Sequence, residues 1–172
     1  MQRKQAEAKD ALIAATVALT KPGTSSEITA NDVVAATKAV EAVTPRTIRQ
    51  ASKAKVLWVD DRPTNNAQER RALEALGIDF VLSTTTEGAL ANLKNQKFDV
   101  VISDMGRPPD PQAGYTLLDK MRSSGDTTPL VFYAGSRAPE HIAESRRRGA
   151  MGCTNRPDEL FEYVLAAIRR NN

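Results

Sequence analysis

The sequence predicts an α/β fold in which helices cover both faces of a doubly wound parallel sheet. Two apolar runs of strand length carry this prediction: residues 56–59 are followed by Asp60 and Asp61, and residues 100–103 are followed by Asp104. Continuous apolar runs are typical of parallel strands that are buried on both faces. The same kind of run alternates with helical segments through the last two-thirds of the chain, which is the pattern of βα units.

The other elements follow in order along the chain. Five strands are predicted, at residues 56–59, 80–83, 99–103, 130–133 and 151–154. Five helices are predicted, at about residues 64–76, 86–95, 115–123, 139–148 and 158–169. Gly77 is a suitable stop for the first of these helices, and Thr86 is a suitable N-cap for the second. Five βα units of this size form one sheet with helices on both faces.

Residues 1–54 are predicted to form a helical extension and tether, and residues 55–172 to form the core domain. Helices are expected over residues 1–19 and 29–43, with a breaker-rich link at 21–26 between them. Pro45 is expected to end the second helix, and residues 51–55 to form a solvated tether. Because two such helices bury little apolar surface alone, they must pack on the domain that follows, on a second copy of the chain or on a partner. Of these, self-association into a homodimer through the N-terminal helices is the prediction.

Composition restricts the classes of protein that the chain can represent. Of its 172 residues, 41% are hydrophobic and 26% are charged, as in an ordinary globular protein. The single cysteine, Cys153, excludes an intramolecular disulfide framework and favours the cytoplasm. No apolar run approaches the roughly 18 residues of a membrane-spanning helix. The net charge of +3 comes from residues 1–55, and this mild excess does not predict nucleic-acid binding.

Three carboxylates are expected at one edge of the predicted sheet. Asp60, Asp61 and Asp104 follow two strands, and functional crevices in open α/β sheets lie at the carboxyl ends of strands. Carboxylates gathered in this way repel one another unless a cation lies among them. Hard divalent cations prefer such oxygen ligands, so the sequence predicts a site for a hard divalent cation. The alternative is that the three acids only cap the ends of strands and helices.

Five segments, in this order, resemble a response-regulator receiver domain: VLWVDD, VVISDMGRP, a glycine before YTLLDKMR, TPLVFYAG, and RRGAMGCTNRP. The resemblance covers about residues 55–170 and implies a five-stranded sheet in flavodoxin-like order. It also implies that Asp104 accepts a phosphoryl group from a histidine kinase or phosphotransfer protein, with Mg²⁺ beside it. Asp61 would then bind the metal directly, Asp60 would bind it through water, and the backbone carbonyl of Gly106 would complete the protein ligands.

Three residues depart from the receiver pattern. Ala134 occupies the position of a serine or threonine hydroxyl at the end of the fourth strand, and Cys153 occupies that of a switching aromatic ring. Arg156 replaces the lysine that precedes a proline. Arginine keeps the charge and can pair with carboxylate or phosphate, so Arg156 is a candidate member of the catalytic site. The alternative is a plain salt bridge from Arg156 to Asp104 that locks an inert site.

Three functions are therefore considered. The first is a receiver that is phosphorylated on Asp104 and signals through protein–protein contacts, with no enzyme activity beyond self-catalysed phosphotransfer and autodephosphorylation. The second is a phosphorylation-independent pseudo-receiver that serves as a constitutive interaction module. The third is a small phosphotransfer or hydrolytic enzyme of a related acid-cluster type, which the missing hydroxyl at Ala134 disfavours.

Overall fold

The structure is a computed structural model that describes residues 44–136 and 138–171. The helices predicted within residues 1–43, and the homodimer predicted through them, lie outside the described residues. Elements are numbered along the described chain. Its helices and strands are α1 Pro45–Ala51, β1 Lys55–Val59, a 3-10 helix Pro63–Asn66, α2 Ala67–Glu74, β2 Asp79–Ser83, α3 Thr86–Asn95, β3 Val100–Ser103, α4 Ala113–Ser123, β4 Leu130–Tyr133, α5 Pro139–Arg147, β5 Gly152–Thr154 and α6 Pro157–Arg170.

The five strands form one all-parallel sheet in the order β2-β1-β3-β4-β5. This confirms the predicted doubly wound, flavodoxin-like topology. The first strand lies in the interior of the sheet between β2 and β3, with Val59 in register with Ser83 on one side and with Ser103 on the other. The carboxyl ends of β1 and β3 therefore meet at the same edge of the sheet.

Two apolar cores cover the two faces of the sheet. Successive strand side chains point to opposite faces, so Trp58 packs with α1, α2 and α6, while Leu57 and Val59 pack with α3 and α4. All of β1 except its first residue is buried. Burial on both faces explains why the strand is a continuous apolar run rather than an alternating one.

The first described helix, α1, contradicts the predicted solvated tether. Pro45 begins this helix, and the side chain of Thr44 caps it by accepting a hydrogen bond from the Thr47 backbone N–H at 3.1 Å. The helix that Pro45 was expected to end, over residues 29–43, lies outside the described residues. Proline suits the first helical turn because a backbone N–H at that position, which proline lacks, would have no partner within the helix. Ala51 and Ala54 are 0% and 3% exposed and belong to the core beneath α6. This part of the predicted extension packs on the sheet domain.

Two further boundaries differ from the prediction. The helix predicted over residues 64–76 is a 3-10 turn followed by the shorter helix α2. Thr85 rather than Thr86 caps α3, because its hydroxyl accepts a hydrogen bond from the Gly88 backbone N–H at 3.0 Å. Gly77 adopts a φ of +93° after α2, as expected of a residue that reverses the chain beyond a helix.

Candidate functional site

The three predicted carboxylates converge at the carboxyl edge of β1 and β3. Asp60, Asp61 and Asp104 each offer a carboxylate oxygen, and these oxygens lie within 4.8 Å of one another. The sheet register causes this convergence: the backbone N–H of Asp104 donates to the Val59 carbonyl at 3.0 Å, so both chains leave the sheet side by side. The sequence-based grouping of these residues is thus present in the structure.

Asp60 is oriented by the loop that follows it. Its Oδ1 accepts a hydrogen bond from the Arg62 backbone N–H at 2.7 Å, and its Oδ2 accepts one from Asn66 Nδ2 at 2.9 Å. Asn66 is buried at the end of the 3-10 helix. These two hydrogen bonds hold the Asp60 carboxylate against the loop that follows it. Asp61, the next residue, is exposed to solvent.

Asp104 is a partly buried carboxylate with two unlike oxygens. Its Oδ2 accepts a long hydrogen bond of 3.4 Å from the Asp61 backbone N–H, and its Oδ1 is paired with Arg107. Burial raises the pKa of Asp104 to about 6, although Arg107 acts to lower this pKa. The Asp104 side chain is 13% exposed, so it remains reachable from solvent.

Arg107 is a site residue that sequence reasoning missed. Its side chain is only 5% exposed and forms an ion pair with Asp104 Oδ1 through Nη1. Nη1 also donates to Ser103 Oγ at 3.2 Å, and Nη2 donates to Thr86 Oγ1 at 2.7 Å and to the Ala113 carbonyl at 3.2 Å. The sequence does show a charged residue three positions after Asp104, which could have marked Arg107 as a site residue. It does not show that this arginine is buried.

The guanidinium of Arg156 lies against Asp158 instead of Asp104. Its Nε and Nη2 donate to the two carboxylate oxygens of Asp158 at 3.1 and 2.9 Å. The alternative of a plain Arg156–Asp104 salt bridge is therefore wrong for this structure. The physical reason is local: Asp158 lies in the first turn of α6, two residues beyond Arg156 at its N-cap. A part for Arg156 in phosphoryl chemistry stays a prediction.

Ala134 and Cys153 line one cavity beside the site. The cavity is about 460 Å³ and is also lined by Met105, Tyr115 and Arg148, among others. Cys153 is 5% exposed, and burial raises the pKa of its thiol. Small side chains at these two positions leave space where a larger residue would fill the end of the sheet.

The loop after β3 is fixed by its own hydrogen bonds. Arg107 and Asp110 exchange backbone hydrogen bonds of 2.9 and 2.8 Å. The Asp110 carboxylate then accepts from the Gln112 backbone N–H at 2.9 Å and from Thr116 Oγ1 at 2.8 Å, which ties the loop to α4. Gly106 lies in the exposed part of this loop. The use of its carbonyl as a metal ligand stays a prediction.

Gly114 lets α4 approach the end of β3. Its backbone N–H donates to the Met105 carbonyl at 2.7 Å. A Cβ at this position would lie 2.5 Å from the Asp104 carbonyl oxygen and 2.7 Å from Phe132 Cε1. Glycine is therefore favoured at this second position of α4, because any larger residue would displace either α4 or the backbone of Asp104.

The donor set fits Mg²⁺. The ion takes hard oxygen ligands and is usually held by one or two carboxylates together with water and phosphate. Asp60, Asp61 and Asp104 supply such oxygens within bridging reach of one another. No further group of three histidine, cysteine, aspartate or glutamate side chains with this proximity occurs in residues 44–136 and 138–171.

Comparison with known proteins gives the family. The family model described as Response regulator receiver domain matches residues 56–165, and the chain belongs to this family. The receiver domain of Francisella response regulator 1452 covers 70% of this chain and all of its own, with 24% identity and a TM-score of 0.63. Chemotaxis response regulator CheY4 of Vibrio cholerae covers 68% of this chain and 97% of its own, with 27% identity and a TM-score of 0.55.

Similar curated proteins are sensor proteins, among them the sensor histidine kinase RcsC of Escherichia coli K12, which is 28% identical over 105 residues, 61% of this chain and 11% of RcsC. Sensor protein EvgS of Escherichia coli K12 is 32% identical over 91 residues, which are 53% of this chain and 7% of EvgS. Virulence sensor protein BvgS of Bordetella pertussis is 29% identical over 149 residues, which are 77% of this chain and 12% of BvgS. This chain therefore spans only about a tenth of the length of these relatives. In the described part of the chain, no helix is long and apolar enough to cross a membrane.

Proposed function

We propose that the protein is a two-component receiver that accepts a phosphoryl group on Asp104 and signals through protein–protein contacts. The observation that carries this proposal is the convergence of Asp104 with Asp60 and Asp61 at the carboxyl edge of the sheet. Membership of the receiver family and similarity to the sensor histidine kinase RcsC support a histidine kinase or phosphotransfer protein as the donor. The expected setting is the cytoplasm.

The transfer is an exchange of one bond to phosphorus for another. An oxygen of the Asp104 carboxylate attacks the phosphorus of a phosphohistidine, and the O–P bond forms as the P–N bond breaks. The electron pair of the P–N bond leaves with the imidazole nitrogen, which takes a proton from water. The task of the protein is to position the carboxylate and to stabilise charge, since such transition states are loose.

The metal site is assigned to Asp61, with Asp60 acting through water and the Gly106 carbonyl completing the protein ligands. The chemistry that Mg²⁺ would supply when bound there is neutralisation of charge on the oxygens of the transferring phosphoryl group. The hydrogen bonds from Arg62 and Asn66 hold the Asp60 carboxylate in place before any ligand arrives. Asp104 is both the acceptor and a member of the ligand set.

The direct test is to incubate the full chain with acetyl phosphate and Mg²⁺ and to measure its intact mass. We expect one phosphoryl adduct, located on Asp104 after borohydride reduction and peptide mapping. Asp104→Asn should abolish it, and Asp61→Asn should reduce it strongly because a metal ligand is lost. Asp79→Asn is the matched control, because Asp79 is an exposed acid at the opposite end of β2.

The competing function is the phosphorylation-independent pseudo-receiver. In that case the ion pair between Arg107 and Asp104 Oδ1 is a permanent structural contact. Under this alternative, neither acetyl phosphate nor beryllofluoride forms an adduct, and Asp104→Asn leaves partner binding unchanged. An adduct on Asp104 that changes partner affinity excludes it.

A further inference from the structure

A buried cation is fixed against the acceptor carboxylate. All four terminal N–H bonds of Arg107 are used: Nη1 binds Asp104 and Ser103, and Nη2 binds Thr86 and the Ala113 carbonyl. Thr86 begins α3 and Ala113 begins α4, so the guanidinium is anchored to two helices. An arginine head with this many partners cannot leave Asp104 without giving up buried hydrogen bonds.

A cation of this kind offsets part of the negative charge of the site. Three ionised carboxylates carry three negative charges, and one divalent ion neutralises two of them. Arg107 supplies the remaining positive charge at 5% exposure, where electrostatic interactions are less screened than at the surface. Arg156 is a poor substitute because it is 42% exposed and holds Asp158 with two hydrogen bonds.

We propose that Arg107, and not Arg156, is the cation of the phosphoacceptor site, and that it orients Asp104 for attack. Arg107 holds Oδ1, which leaves Oδ2 as the attacking oxygen on the side of Asp61. The Oδ2–P bond then forms as the donor P–N bond breaks, and the guanidinium stays beside the acyl phosphate that results. This inference rests on the proposed function.

Removing Arg107 should have opposite effects on two ligands. The pocket becomes more negative, so Mg²⁺ alone should bind about threefold more tightly or better. Beryllofluoride stands in for the phosphoryl group when Asp104 donates an electron pair to beryllium. Its complex should weaken about tenfold to a hundredfold, which is the size of effect for a lost hydrogen bond to a charged group. General damage to the site would instead weaken both ligands.

The experiment measures both affinities by calorimetry on the full chain, with beryllofluoride titrated at saturating Mg²⁺. Arg107→Met should show the opposed shifts, and Arg107→Lys should recover most of the beryllofluoride affinity because it restores the charge. Arg156→Met tests the competing arginine, and under this inference it should change either affinity less than threefold. If Arg107→Met does not fold, Arg107→Gln, which keeps an amide donor without the charge, replaces it.

Several results would overturn the inference. Beryllofluoride affinity within threefold of the parent in folded Arg107→Met would show that this residue does not serve the phosphoryl group. A parallel loss of both ligands would show a structural part only, and a tenfold loss in Arg156→Met would return the cationic part to Arg156. If the parent chain binds no beryllofluoride, the proposed function fails as well, whereas the other results leave it standing.

Discussion

Replacing Gly114 with alanine should destabilise the fold and displace the acceptor together. An added Cβ would lie 2.5 Å from the Asp104 carbonyl oxygen, 2.7 Å from Phe132 Cε1 and 3.2 Å from Met105 Cα. Real Cβ atoms essentially never show contacts under 3.0 Å, and two of these three neighbours are backbone atoms. Relief therefore requires that α4 or the end of β3 shift.

The expected cost follows from two opposed effects. Overpacking a tight site costs typically 1–3 kcal/mol, and backbone contacts place this site toward the upper end of that range. Alanine gains up to roughly 1 kcal/mol over glycine in a helix interior. Because Gly114 is only the second residue of α4, it should realise part of that gain. We expect a net loss of about 2 kcal/mol in the free energy of unfolding.

The assay is urea unfolding followed by tryptophan fluorescence. Trp58 is the single tryptophan and is 1% exposed, so its emission should change strongly on unfolding. Gly135→Ala is the matched control, because a Cβ there meets nothing within 4 Å, and it should change stability by less than about 0.5 kcal/mol. Equal stabilities for Gly114→Ala and the parent would refute the close-approach argument, as would unchanged phosphorylation of Asp104.

Three further predictions concern pH, capping and truncation. Burial raises the pKa of Asp104 to about 6 from 3.8, so the folded protein binds the proton of this carboxyl group more tightly than the unfolded chain does. Without metal, the free energy of unfolding should therefore fall by up to about 3 kcal/mol as pH rises from about 4 to 7. Asp104→Asn should lack this part of the pH profile in urea titrations, and an identical profile would contradict the raised pKa. Thr44→Ala removes the acceptor of the Thr47 N–H bond and should cost about 1 kcal/mol by urea unfolding; no change would show that the cap is dispensable. A chain beginning at Thr44 should stay folded but lose the predicted self-association, as measured by light scattering. A chain beginning at Lys53 should in addition be less stable. If the chain from Thr44 has the same oligomeric state as the full chain, a dimer through residues 1–43 is refuted.

The strand positions could be predicted from the sequence because their signals are local, whereas the order of the strands followed from the resemblance to receiver domains. Residues 56–59 and 100–102 are apolar, Ser103 ends the second strand, and both faces of these strands are buried in the structure. The acids that follow them must then meet, since parallel neighbours end at the same edge. Helix ends were predicted less well. Proline is common both in the first turn of a helix and just after the end of one, and the sequence did not indicate that a helix begins at Pro45.

Side-chain partners depend on distances across the fold. Arg107 reaches Thr86, which lies 21 residues away in the chain, and no local pattern indicates this contact. Arg156 was expected near the acceptor from its position before Pro157, but the nearby Asp158 satisfies it. Two features decide that Arg107 and not Arg156 pairs with Asp104. They are the position of each arginine's backbone and the other hydrogen-bond acceptors near each guanidinium.

The sequence by itself determined the α/β class, the strand positions and the gathering of Asp60, Asp61 and Asp104, because periodicity and strand direction are properties of short segments. Only the tertiary structure decided that Arg107 is buried against Asp104 and that α1 packs on the sheet domain. Burial is collective: a side chain loses solvent only when distant segments close over it. The identity of the cation beside the acceptor was therefore fixed by packing and not by the motif that surrounds it.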